Sequence, residues 1–243
     1  MKRILILLII ATFLISIPLA VANNGSSLSK IVFVYTKEES YAKPPWAGGG
    51  KGKNKAEGYE FLMKGYKWKE LPVELVVDPD NGGLLLAFVV EAISNGAEEW
   101  DSYTTAELFK DSPYTIVHDA SWDGGTPKWT PPDGRNELLF DDFPEDGVIA
   151  VCVTWFSRVG RRIVEFDIMF DTDFTWGNVD SDGTTVMDLQ NIVTHELGHG
   201  VGLADLYEDE WSEQTMYGYA DYGEIKKRTL ESGDIAGIQA LYD

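Results

Sequence analysis

Three histidines occur in the 243-residue chain, and two of them, His195 and His199, stand four residues apart in THELGHGVGLADL, residues 194–206. On an α-helix that spacing turns the second side chain by about 40° and lifts it by about 6 Å, so both imidazoles reach one ion. Glu196, about 100° round the helix, can reach a water on that ion without being a ligand itself. Two ligands and one base on a single rigid element are the parts of metal-assisted hydrolysis. The bland alternative is a chance H-E-x-x-H on a solvated helix face. Against it stand the apolar residues on the other side of the segment, Gly202 and Asp205 at fixed offsets, and Met216 downstream.

A third ligand is needed, and the remaining histidine, His118, lies far upstream, where it reads as a surface or strand-end residue. Gly202 is placed to stop the helix in the left-handed conformation that only glycine enters cheaply. Such a stop lets the chain double back, and Asp205 follows three residues later. Carboxylate oxygen binds zinc at nearly the distance imidazole nitrogen does, so Asp205 fits the third corner. The competing reading is a solvated loop acid, since Glu208, Asp209, Glu210 and Glu213 crowd nearby.

The elements that must carry these residues are legible from periodicity. Val73, Leu75 and Val77 alternate as in a strand that ends at Asp78–Gly83. Leu85, Phe88, Val89, Ala92, Ile93, Ala97 and Trp100 make one helical stripe. Ile149, Val151, Val153 and Trp155 share one face of a strand, and Val164, Phe166, Ile168 and Phe170 one face of another, with Ser157–Arg162 joining them as a hairpin. Each strand's other face is mixed, so this pattern predicts a sheet with one well-buried side. A helix is predicted from Val186–Asp188 through the histidines, burying Leu189, Ile192, Val193 and Leu197. A last one takes Ser232 as its N-cap and carries Ile235, Ile238, Leu241 and Tyr242 as its apolar stripe. The order predicts an α+β fold, a twisted mixed sheet packed on helices.

His195-Glu196-x-x-His199-x-x-Gly202-x-x-Asp205, followed by Met216-Tyr217, resembles the metzincin zinc proteases, and within them the matrixin-like branch with a snapalysin-type aspartate as third ligand. Lys67-Trp68, the helix ending at Trp100, the strand IVEFDIMF and the closing DIAGIQALY extend the resemblance over residues 59–243. It implies a zincin-like fold with a C-terminal helix, one catalytic Zn2+ held by His195, His199 and Asp205, and Glu196 as general base toward a zinc-bound water. Met216 would form the Met-turn under the ion, and Tyr217, Gly218 and Tyr219 would help wall the pocket beside the scissile bond. The implied function is a secreted zinc-dependent endopeptidase, with a polypeptide substrate laid as an extended strand on an exposed edge of the 149–170 hairpin. The alternative is an exported zinc-binding protein without proteolysis. No cysteine precedes Cys152, so the thiol that caps zinc in many matrixin propeptides is missing.

Size and composition set the frame. The chain can bury one substantial core, and 44% apolar with 12% aromatic residues excludes a disordered protein. Residues 1–22 read as a signal peptide, with basic Lys2-Arg3, apolar Ile4–Ile17, Pro18 and a small-x-small Ala20-Val21-Ala22; an uncleaved anchor facing outside is the alternative. Residues 23–58 read as a short extension with a Gly/Lys linker, and 59–243 as the catalytic domain. The formal net charge of −20 opposes binding to nucleic acid or anionic lipid. Cys152 is alone, so an intramolecular disulfide is excluded. Calcium is a second candidate ion at Asp171 with Asp173 and at Asp180 with Asp182, against plain solvated acidic turns. A monomer is expected.

Overall fold

A computed structural model of the protein describes residues 28–37, 57–120, 122 and 130–243. Residues 1–22, read above as a signal peptide, and most of the expected Gly/Lys linker lie outside the described residues. In chain order the elements are β1 (Leu28–Lys37), β2 (Glu60–Phe61), β3 (Val76–Val77), α1 (Leu86–Asp101), β4 (Thr115–Ile116), β5 (Glu137–Asp141), β6 (Val148–Ser157) and β7 (Arg162–Asp171). There follow β8 (Trp176–Gly177), α2 (Val179–Asp182), β9 (Met187–Asp188), α3 (Leu189–Val201), β10 (Leu203–Ala204), β11 (Tyr219–Ala220) and α4 (Ser232–Tyr242).

One mixed sheet, in the order β11-β1-β6-β7-β5-β3-β4, carries α1 and α3 on one face. β1–β6 and β6–β7 are antiparallel pairs; the remaining pairs are parallel. The predicted α+β class and helix-backed sheet are what the structure shows. The stripe on α1 buries Val89, Ala92, Ile93, Ala97 and Trp100 against Ile192, Val193 and Leu197 of α3 and Phe166 and Ile168 of β7. Gly96 allows the two helices to approach, since a Cβ there would lie 2.9 Å from Thr194 Oγ1. The Trp100 indole donates to the Thr194 carbonyl at 2.7 Å, which ties α1 to the turn that carries the first histidine.

Three expectations change. The opposite face of the sheet is not solvated: Val32, Val34, Leu139, Phe143, Val151, Val153, Trp155 and Met169 form a second buried cluster, so β6 is covered on both sides. The assignment of faces also changes at both ends of the hairpin. Register slips leave Ile149 and Val164 unpaired in their ladders, so Ile149 joins the helix side while Val151, Val153 and Trp155 face away from it. Val164 likewise turns to the second cluster, away from Phe166, Ile168 and Phe170. An extra residue in one strand shifts every later side chain to the other face, which strict period-2 counting misses.

The third change concerns sheet edges. β1 sits inside the sheet, between β6 and β11. It also follows that neither hairpin strand is an edge: β6 is flanked by β1 and β7, and β7 by β6 and β5. Among the described residues no helix is long and apolar enough to cross a membrane.

Candidate metal centre

α3 begins where the Asp188 carboxylate accepts the Asn191 N–H at 2.9 Å, satisfying a donor that helix geometry leaves orphaned. It ends at Gly202, whose φ of 112° lies in the left-handed region and whose N–H returns to Gly198 and His199 carbonyls. The chain then turns into β10, which pairs with β2, and delivers Asp205 beside the helix. Trp68 and Tyr242 hold this end of α3 through hydrogen bonds of 2.8 Å to the carbonyls of Gly200 and Val201.

His195 Nε2 and His199 Nε2 each lie 3.2 Å from Asp205 Oδ1. All three residues are buried, and their ligating atoms form one group within 4.8 Å. The opposite ring nitrogens are committed: His195 Nδ1 donates to the Thr215 carbonyl at 2.7 Å and His199 Nδ1 to the Leu203 carbonyl at 3.1 Å. Those bonds fix the tautomer that leaves each Nε2 with a lone pair aimed inward. His195 Nε2, Asp205 Oδ1 and both Glu196 oxygens are buried without a hydrogen-bond partner. Orphaned buried polar atoms are costly unless something satisfies them, and two imidazoles with a carboxylate are a donor set that suits Zn2+.

Electrostatics agree with that reading. Burial lowers the His195 imidazole to about 4, in spite of Asp205, so the ring is neutral and able to ligate at physiological pH. Burial alone would raise the Asp205 carboxyl; the two imidazoles outweigh it and hold the group well below the usual carboxylate range. Burial pushes the Glu196 carboxyl well above its ordinary value, and the charge of Asp205 adds to the rise. Two carboxyls on one site are thus shifted in opposite directions.

Sequence reasoning missed the groups that hold the site in shape. Tyr207 donates its hydroxyl to Asp205 Oδ2 at 2.9 Å, leaving Oδ1 to face the imidazoles. Asp234, on the first turn of α4, accepts the Thr215 N–H at 2.7 Å and the Met216 N–H at 3.1 Å. Met216 is buried against Gly198 of α3, and its loop is stitched to the Asp205 loop by Leu206 N–H to Met216 O (2.8 Å) and Gly218 N–H to Leu206 O (2.9 Å). Gly198 has to lack a side chain, because a Cβ there would press on Met216 and lie 2.7 Å from Trp100. A tyrosine two places after an aspartate and an acid at a helix start carry no periodic signal, so nothing in the sequence pointed to Tyr207 or Asp234.

Other expected residues are scattered. His118 is exposed and stands 3.0 Å from Asp80 Oδ1. Asp180 pairs with Arg228 at 2.6 Å and Asp182 accepts the Asn178 N–H at 2.8 Å, so this pair braces a turn and lends calcium no support. Asp171 and Asp173 do gather with Asp142, a grouping that acidic turns commonly show without an ion, and calcium gains no support. Tyr217, Gly218 and Tyr219 follow the Met-turn, and Tyr219 opens β11.

Two histidines on a glycine-stopped helix and the aspartate just beyond it thus form a buried His-His-Asp cluster of the kind that can hold a metal ion. Residues 136–243, from β5 to the end of α4 and including every residue of the cluster, match the matrixin family model, and so resemble a zinc-dependent matrixin peptidase domain. No curated protein matches the chain.

Proposed function

We propose that the protein is a zinc-dependent endopeptidase, with His195, His199 and Asp205 holding one Zn2+ and Glu196 as general base. The observation that carries this is the set of orphaned, buried atoms converging on one point beside the equally unpartnered Glu196 carboxylate. Bound there, zinc would supply Lewis acidity toward a peptide carbonyl and lower the pKa of water. The chain's own residues do the rest. Asp205, kept ionised, and two neutral imidazoles would hold the ion. Glu196 takes the proton of the attacking water and passes it to the leaving amine; its raised proton affinity suits it to both halves of that transfer. Met216 gives the site an apolar floor, and Asp234 fixes the turn that bears it.

The chain is further proposed to act outside the cytoplasm, released after removal of residues 1–22, on polypeptides bound as extended strands. A purely zinc-holding role leaves Glu196 without a task, because a structural zinc fills its fourth position with protein. The test is metal content together with casein hydrolysis. About one zinc per chain is expected, with hydrolysis abolished by chelator and in Glu196→Ala while the metal stays bound. Zinc without hydrolysis in every form of the protein would leave the binding role as the answer.

A further inference from the structure

The metal centre is covered. Phe33 of β1 stacks on the His199 imidazole, with centroids 3.9 Å apart and planes 5° apart, and Tyr35 stacks on His195 at 3.8 Å and 3°. Both rings are 1% exposed, and Glu196 is fully buried beneath them. From this placement we propose that β1 occupies the site's own peptide-binding position: the chain folds as a latent form, and its substrates are extended peptides presenting large aromatic side chains two residues apart.

The sheet geometry carries the proposal. β1 lies antiparallel to β6, from Leu28↔Ser157 to Thr36↔Val148, and parallel to β11 at Thr36↔Tyr219 and Lys37↔Ala220. β11 belongs to the segment just after Met216, so β1 is clasped between the two walls that flank the metal ligands. An extended peptide binds a sheet by adding to an edge, with main-chain bonds giving affinity and alternate side chains giving choice. Without β1, β6 becomes such an edge. In the sequence, 22 residues separate the end of β1 at Lys37 from the start of β2 at Glu60.

The side chains of β1 then describe the pockets a substrate meets. Phe33 and Tyr35 point one way, onto His199 and His195; Val32 and Val34 point the other way, into the second cluster. The Lys227 ammonium stands 5.4 Å from the Tyr35 ring and 5.8 Å from the Tyr217 ring, and is itself held by Glu224 and the Tyr219 carbonyl. A ring between a neutral imidazole and a buried cation is the preferred occupant of that position. The part of this inference concerning substrates rests on the peptidase reading; the part concerning β1 is measured separately.

The experiment uses the full chain with Phe33→Ala/Tyr35→Ala, and independently with Val34→Pro, which breaks strand pairing instead of removing rings. A dye-labelled peptide of sequence LSKIVFVYTK is titrated by fluorescence anisotropy, in a Glu196→Ala background so that it is not cut. A tethered strand competes at an effective concentration on the order of millimolar, so micromolar peptide should bind the β1 variants at least about tenfold more tightly than the intact chain. Casein hydrolysis by the same β1 variants with Glu196 retained should rise by a similar factor. Equal peptide binding by intact and variant chains would overturn the proposal, as would loss of cooperative melting in both β1 variants, since β1 is then an ordinary core strand. Tighter peptide binding with no hydrolysis would uphold the role of β1 and sink the peptidase reading.

Discussion

Asp205 sits in a site its neighbours define more sharply than its own side chain does. One oxygen faces two imidazoles and the other accepts from Tyr207, so the carboxylate has a single rotamer to offer a metal. Supports of this kind usually change metal affinity by about 10–100-fold. Tyr207→Phe should therefore weaken zinc binding by roughly that factor in a competitive chelator titration, with the thermal melt nearly unchanged; undiminished affinity would show that Asp205 needs no partner. Asp234 gives a pH prediction. Burial raises its carboxyl to about 6, against the lowering effect of the amides it accepts from. A carboxyl raised above its unfolded value of 3.8 makes folding tighten proton binding between those two points. Its contribution to stability is whole below pH 3.8 and lost as pH rises through about 6. His195, lowered to about 4, works in the opposite sense, losing its contribution as pH falls from 6.5. The difference between the chain and Asp234→Asn isolates the first effect. Relative to the variant, the chain should gain on the order of 2–3 kcal/mol between pH 7 and pH 4. A flat difference across that range would contradict it.

Among the elements, α3 depends most on its glycines. Gly202 has to adopt φ 112°, and Gly198 has to leave room for Met216 and Trp100. A left-handed conformation costs a residue with a Cβ about 1–2 kcal/mol. In a domain of this size Gly202→Ala should lower the melting temperature by roughly 2–8 °C. A Cβ there also presses on the Tyr66 carbonyl, so Asp205 should move and zinc affinity fall with stability. Retained affinity would mean that the ligand loop is set by its pairing with β2 instead. The strands show the limit of pattern reading at this scale. Their existence was legible from Val, Ile and Phe at alternate positions, but the bulges opposite Tyr35 and beside Trp155 moved Ile149 and Val164 to other faces. Register slips are decided by what lies across the ladder, and no local composition encodes that.

For the whole molecule, a net charge of −20 on 243 residues means that like charges oppose the compact state. Added salt shortens the Debye length from about 10 Å at 0.1 M to about 3 Å at 1 M. Melting temperature should therefore rise between those concentrations; a fall would show that surface ion pairs such as Lys110–Glu74 outweigh the repulsion. The sequence alone determined the helix that bears both imidazoles, the glutamate between them, the glycine stop and the aspartate beyond it. Each of these follows from short-range geometry: 3.6 residues per turn, and one residue type that enters φ > 0 cheaply. Tertiary structure alone decided that Tyr207 and Asp234 brace the site, that both faces of β6 are covered, and that β1 lies over the imidazoles. Apart from the local Tyr207–Asp205 bond, the Asp234 and β1 contacts join residues 18 to 166 positions apart, and where such partners meet depends on sheet order, which periodicity along one strand does not contain.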